Sequence, residues 1–175
     1  GPHEVIAEGA TLDCVMGPQP SRWGTGADDV PRSLTAPGKR PQMLHDLLGN
    51  GARAALADGR ALPALLDDDA TTAVPLGAGA TIALTAVGDG APTMYTLTSG
   101  EGAIRGAGWT LEARTAGGRW TTLDERRSED FTSPRQTRPF RIASPSRFAE
   151  YRLRVAAPGR LQLAEIELLS PSTVN

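Results

Sequence analysis

Aromatic side chains are scarce in this chain. Phe, Trp and Tyr together make 5 % of 175 residues, so a site built from several stacked rings would consume most of them. Cysteine is scarcer still: Cys14 stands alone, which excludes an internal disulfide framework. Lysine is represented only by Lys39, and histidine by His3 and His45. No apolar run approaches the ~20 residues that a membrane-spanning helix requires. Charge of one sign is not concentrated either. Residues 1–100 carry 6 basic and 11 acidic groups, and residues 101–175 carry 12 and 9, for a net charge of −2. Neither part is the strongly basic surface that nucleic acid demands, so no nucleic-acid partner and no membrane partner are expected. The opening Gly1-Pro2-His3-Glu4 is polar, unlike a signal peptide, and reads as a protease scar or an internal cut of a longer protein.

What is abundant is punctuation. The 20 Gly and 14 Pro favour many turns and hence β architecture over a helical bundle. Glu4 to Met16 alternates weakly and reads as one or two strands. Ser21 to Gln42 is almost entirely turn formers, which bury little and suit a linker or a wrapping segment. A short helical turn or strand fits Met43–Leu48. From Ala61 the pattern sharpens into short strands: Thr93–Ser99, Trp109–Arg114, Trp120–Leu123, Pro139–Ala143, Tyr151–Val155 and Leu161–Leu168. Ala116-Gly117-Gly118 reads as a hairpin turn. Short strands at ~8–12-residue spacing, with no long helical period, predict an all-β antiparallel sandwich or jelly roll.

One run of carboxylates stands out, Asp67-Asp68-Asp69. Adjacent acids repel unless they are solvated, capped or neutralised by a cation. Two readings fit: turn or N-cap aspartates in a loop, or a calcium loop, since Ca²⁺ takes about 6–8 oxygens from carboxylates, carbonyls and hydroxyls. In the second reading Asp67, Asp69 and Thr72 supply oxygens from one tight loop. The last strand adds a second signal. Strict alternation puts Glu165 and Glu167 on the face of Leu161 and Leu163, so either a bulge shifts the pleat or a counter-ion compensates Glu165. The EF-hand spacing is absent.

Catalytic constellations are poor. His45 beside Asp46 reads as a solvated surface residue, Cys14 as a small buried hydrophobe in a strand, and Glu101, Glu125, Glu129 and Asp130 as solvated loop acids. No carboxylate pair of the kind glycosidases hold at fixed separation can be singled out. Trp109 and Trp120 each begin an alternating strand and are expected in the core. Trp23, between Arg22 and Gly24, has three readings: packing on a neighbouring domain, pinning the linker to this one, or presenting a ring to a sugar.

Residues 61–170 resemble the discoidin family (factor V/VIII type C) and its relatives, the family 32 carbohydrate-binding modules. The carriers are LLDDDATTAV, MYTLTSG, GWTLEARTAGGRWTTLDER, QTRPFRI, YRLRV and LQLAEIELL, in the family order. The resemblance implies a galactose-binding-domain-like jelly roll with an irregular N-terminal extension. It also implies a structural calcium held by Asp67, Asp69, Thr72 and Glu165, with carbonyl oxygens near Leu65 and Ala164. Val74 stands where the family often carries a tryptophan.

EGATLDCVMGPQPSRWGTG, residues 8–26, is similar to the closing strands of the catalytic module of glycoside hydrolase family 92. That similarity implies a C-terminal part of a secreted, calcium-dependent α-mannosidase whose catalytic carboxylates lie upstream. Residues 1–22 would then be terminal strands of an upstream glycosidase module, 23–60 a linker or wrapping segment, 61–170 the discoidin-like sandwich and 171–175 a tail. The function so implied is a non-catalytic carbohydrate-binding accessory domain. Its partners would be the upstream catalytic module and mannose-containing glycans, with Trp23, Glu101 and Arg105 as candidates to stack on a sugar face or bond its hydroxyls. The alternative is a purely structural, interdomain-docking sandwich without a sugar ligand, which the low aromatic count and Val74 favour.

Overall fold

The computed structural model describes residues 5–6, 43–88, 90–157, 159 and 161–172. Among these residues the chain forms eleven strands: β1 (Val5–Ile6), β2 (Met43–Asp46), β3 (Arg53–Leu56), β4 (Val74–Leu76), β5 (Thr81–Thr85), β6 (Met94–Ser99), β7 (Ile104–Arg114), β8 (Thr121–Phe131), β9 (Thr137–Arg141), β10 (Glu150–Val155) and β11 (Leu161–Ser172). A 3-10 turn, Pro63–Leu66, precedes the acidic loop. The expected all-β antiparallel sandwich is what forms. One sheet runs β1-β2-β11-β6-β9 with β4 also on β11, and the other runs β3-β5-β10-β7-β8.

Alternation decides which side chains enter the space between the sheets. In β10, Tyr151, Leu153 and Val155 are buried while Arg152 and Arg154 face outward. The partner register Leu153↔Leu111 and Val155↔Trp109 places Trp109, Leu111 and Ala113 of β7 in the same layer. The facing sheet contributes Tyr95, Leu97, Phe140, Leu163, Ile166 and Leu168 to one continuous core. Trp109 meets Phe140 edge-on at 5.1 Å, and Tyr95 lies 5.2 Å from Phe140, centroid to centroid. The β7–β8 hairpin turns at Ala116-Gly117, with Gly117 at φ 71°. β8 borders the five-stranded sheet; its pairing with β7 is interrupted by three register shifts, and its exposed residues include Glu125, Arg127 and Asp130.

The sheets begin before residue 61. Met43–Asp46 and Arg53–Leu56, within the stretch expected to link or wrap, pair with β11 and β5 respectively. Val5–Ile6, expected in the closing strands of an upstream module, pair here with Leu44 and Met43 of β2. β11 continues to Ser172, past the expected start of the tail. Trp23 and Cys14 lie outside the described residues.

Two loops close one end of the sandwich against each other. Gly79 N donates to Val155 O at 2.8 Å, and Val155 N donates to Ala80 O at 2.8 Å. Gly159, at φ +83°, completes the contact, and a Cβ there would overlap the backbone of Ala78. Gly159→Ala is therefore expected to destabilise the fold by roughly 1–3 kcal/mol, through both the left-handed conformation and the overlap. A urea midpoint equal to that of the natural protein would contradict this.

Candidate functional site

β11 pairs with two strands placed end to end on one side. Leu161–Leu163 take β4, and Leu169–Ser172 take β2. The residues between them are bridged locally: Leu47 N donates to Leu168 O at 2.8 Å, and Asp46 Oδ1 accepts from Leu48 N at 2.8 Å and Leu168 N at 3.0 Å. On the other side, the pairing with β6 shifts register between Leu163 and Glu165. This bulge at Ala164 resolves the alternation puzzle of the last strand. It lets Leu161 and Leu163 share the core with Ile166 and Leu168, and it turns Glu165 and Glu167 to the opposite face.

That face is not open to water at Glu165, which is 5 % exposed. Neither Glu165 oxygen has a hydrogen-bond partner among the described residues. Burial, followed by the negative charges of Asp68, Glu167 and Asp67, pushes its carboxyl up to about 8. Glu167 differs, since its Oε1 accepts from the Thr96 hydroxyl at 2.8 Å.

The acidic loop reaches this neighbourhood because the 3-10 turn before it packs against β11, burying Leu65. Asp68 takes the left-handed conformation at φ 58°, which aspartate tolerates better than most residues. Asp67 Oδ1 accepts from Asp69 N at 2.9 Å, and the Thr72 hydroxyl contacts Asp67 Oδ2 at 2.8 Å and Asp69 O at 2.9 Å. Asp69 accepts from the hydroxyl and the amide of Thr71, and these donors hold its carboxyl below the usual value. Asp67, Asp69 and Thr72 thus share one tight loop whose field is felt at Glu165. Among the described residues, no three His, Cys, Asp or Glu side chains converge as a ready metal cage. The donors for a cation would be carbonyl and hydroxyl oxygens of the loop joined by the carboxylates, all hard oxygens suited to calcium. The orphaned, buried oxygens of Glu165 fit such an ion.

Glu101 and Arg105 are both exposed, Glu101 in the β6–β7 connection and Arg105 in β7. Glu101 pairs with Arg135 at 3.2 Å across the loops. Trp109 is in the core as expected, but Trp120 is only half-buried. It stands before β8 rather than in it, and lies against the guanidiniums of Arg114 and Arg152, 4.5 and 4.0 Å from its ring centroid. His45 sits in β2, half-buried, with Nδ1 lacking a hydrogen-bond partner among the described residues, which is not the solvated position expected.

A polar chain inside the sandwich escapes sequence reasoning. The Trp109 indole N–H donates to Tyr95 Oη at 2.7 Å, and the Tyr95 hydroxyl donates to Asp124 Oδ2 at 2.6 Å. Arg126 Nε pairs with Asp124 at 3.0 Å, and Glu129 joins Arg126 at 3.4 Å to Arg138 at 2.8 Å. Burial, then the Asp124 charge, raises the Tyr95 hydroxyl well above its ordinary value. The signal lay in β8, where Asp124 and Arg126 oppose the inward residues Leu111 and Trp109. This chain joins border strands of the two sheets.

No protein-family profile and no curated protein matches the chain. Solved structures do. A family 32 module of the family 89 enzyme of Clostridium perfringens (CpGH89CBM32-6) aligns with a TM-score of 0.58 at 11 % identity, over 72 % of this chain and 99 % of that one. The family 32 module of NanJ from the same organism, solved with galactose, aligns at 0.58 and 12 %, over 73 % and 99 %. An F5/8 type C domain from Bacteroides fragilis aligns at 0.55 and 13 %, over 70 % and 93 %. Family 89 glycoside hydrolase from C. perfringens contains a matching part, at 0.56 and 15 %, over 72 % of this chain and 15 % of that one. The two antiparallel sheets described here therefore have the jelly-roll fold of family 32 carbohydrate-binding modules and F5/8 type C domains.

Proposed function

We propose that the chain is a non-catalytic, carbohydrate-binding-type accessory module of a glycoside hydrolase. The observation that carries this reading is the match of its sandwich to nearly the whole length of free-standing family 32 modules, at 99 % of CpGH89CBM32-6 and 99 % of the NanJ module. A module of this kind works by holding a catalytic neighbour near its glycan, so affinity of the loops for sugar is its activity. Glu101, in the β6–β7 connection, and Arg105, at the start of β7, are the described candidates. The parent enzyme as a secreted α-mannosidase, with mannose-containing glycans as ligands, rests on residues 8–26 and on the TLTSG and QTRPF runs that follow them in order.

Calcium belongs to the same proposal. Asp67, Asp69, Thr72 and Glu165 would hold it, with loop carbonyls completing the shell. When bound, the ion would supply a charge-neutralising cross-link between the acidic loop and β11. The part these residues play is structural: the loop hydroxyls and amides pre-orient the carboxylates, and the bulge presents Glu165 toward them.

Titration with mannose, galactose and N-glycans, followed by backbone amide NMR, tests the reading. Chemical-shift changes confined to the loops around Glu101 and Arg105 are the expected result, and hydrolysis of aryl α-mannosides by this chain alone is expected to be absent. A second reading, a structural module that docks without sugar, is favoured by one observation: every aromatic ring among the described residues is buried or half-buried. Silence toward all three sugars would select it.

A further inference from the structure

The outward face of the five-stranded sheet carries its charges in rungs set by strand register. One rung reads Thr81–Arg154–Thr110 across β5, β10 and β7, and the next reads Ala83–Arg152–Glu112. Glu112 sits between two arginines. Arg152 takes it with both prongs, Nε to Oε1 at 3.1 Å and Nη2 to Oε2 at 3.2 Å, and Arg154 approaches the same Oε1 through Nε at 3.1 Å. One carboxylate thus answers two guanidiniums. The neighbouring charges are already matched: Arg114 with Glu150, and Arg127 with Glu125. Trp120 covers Arg152 and Arg114 from outside and holds Arg152 in its two-pronged pair. The surplus positive charge therefore rests on Arg154, whose side chain is 54 % exposed.

Arg154 lines a cavity of about 250 Å³ together with Gly79, Thr81, Thr110, Val155 and Ala156. Its composition is that of an anion seat: a half-exposed guanidinium that shares its carboxylate with a second arginine, and threonines on both adjacent strands at the same level. We infer that this cavity binds the oxyanion of an acidic saccharide, the carboxylate of a uronic acid or the sulfate of a sulfated sugar. The volume admits the charged substituent and part of one ring, so a neutral hexose gains little here. The oxyanion requirement follows from these residues, whereas the saccharide that carries it rests on the carbohydrate-binding reading above. The site lies on the sheet face, not on the loops of Glu101 and Arg105.

The test is amide NMR titration of the whole chain with galacturonate, galactose 6-sulfate, inorganic sulfate and neutral galactose. Both acidic sugars are expected to shift Thr81, Thr110 and Arg154, with inorganic sulfate shifting the same residues more weakly, and added salt weakening all three. Arg154→Gln is expected to lose at least tenfold in affinity for the acidic sugars with its melting temperature unchanged, and Arg154→Lys to recover part of it. Comparing the carboxylate with the sulfate ester shows which oxyanion is preferred. Equal affinity in Arg154→Gln, or shifts confined to other residues, would overturn the proposal. Loop shifts with neutral galactose and a silent sheet face overturn it while leaving the carbohydrate-binding reading intact. A response to inorganic sulfate without one to either acidic sugar overturns the assignment of a saccharide.

Discussion

In metal-free buffer at pH 8, Glu165→Gln is expected to melt at a higher temperature than the natural protein, and added calcium is expected to reverse the order. The native state keeps a proton on Glu165 up to about 8 because the carboxyl is buried and faces Asp68, Glu167 and Asp67. The unfolded chain releases that proton near the ordinary glutamate value of about 4.3. Between these limits the native state binds more protons, so metal-free stability is full below the lower value and falls as pH rises toward the upper one. Each unit of separation corresponds to about 1.4 kcal/mol, which makes the loss a matter of a few kcal/mol. Glutamine has no charge to desolvate, so its metal-free stability stays level across the window.

Calcium takes the deprotonated carboxylate. On the calcium proposal its affinity would rise with pH toward 8, and a hundredfold excess over its Kd would stabilise the natural protein by about 2.7 kcal/mol. Asp67→Asn is expected to lose that calcium response while keeping most of the pH slope, because Glu165 stays buried beside Asp68 and Glu167. Calorimetric scans in chelator and in calcium, from pH 5 to pH 8, read both effects. Identical melting of the natural protein with and without calcium at pH 8 would end the calcium proposal.

Trp109→Ala is expected to cost ~3–5 kcal/mol, a large share of the ~5–15 kcal/mol that holds a domain together. Trp109 is fully buried, touches Phe131 and Phe140, and bridges the two sheets through the indole N–H on Tyr95. Truncation would leave a cavity that these rigid rings cannot fill, and would remove one of the two hydrogen-bond partners of the Tyr95 hydroxyl. Trp109→Phe keeps most of the ring and loses only the N–H, so a smaller loss of ~1–2 kcal/mol is expected. Urea denaturation separates the two variants. A Trp109→Ala midpoint equal to that of Trp109→Phe would mean that the ring is not the keystone of this core.

Legibility of this fold tracked how strongly burial and alternation coincide. YRLRV of β10 and WTLEAR of β7 announce their inward faces, because apolar and polar residues alternate without exception. MLHD of β2 and RAAL of β3 do not. They are four residues each, follow a Pro- and Gly-rich stretch, and owe their pairing to β11 and β5 far along the chain. In β11 the acidic residues betrayed an irregularity, and the bulge at Ala164 explains it. Trp120 misleads because it immediately precedes an alternating run, yet its ring packs on arginines outside the core. Arg154 is illegible for a different reason: its surplus charge appears only when strand register places a single glutamate between two guanidiniums.

The long outer strand β8 has a further consequence. A border strand of eleven residues is a template on which a second molecule could add its own strand, the first step toward fibres. Here the pairing with β7 is repeatedly out of phase, and Glu125, Arg127 and Asp130 project from the strand. An incoming backbone would meet a kinked line and would have to strip water from charged groups at each step. Many copies crowded together would therefore stay separate and not fuse along their flanks.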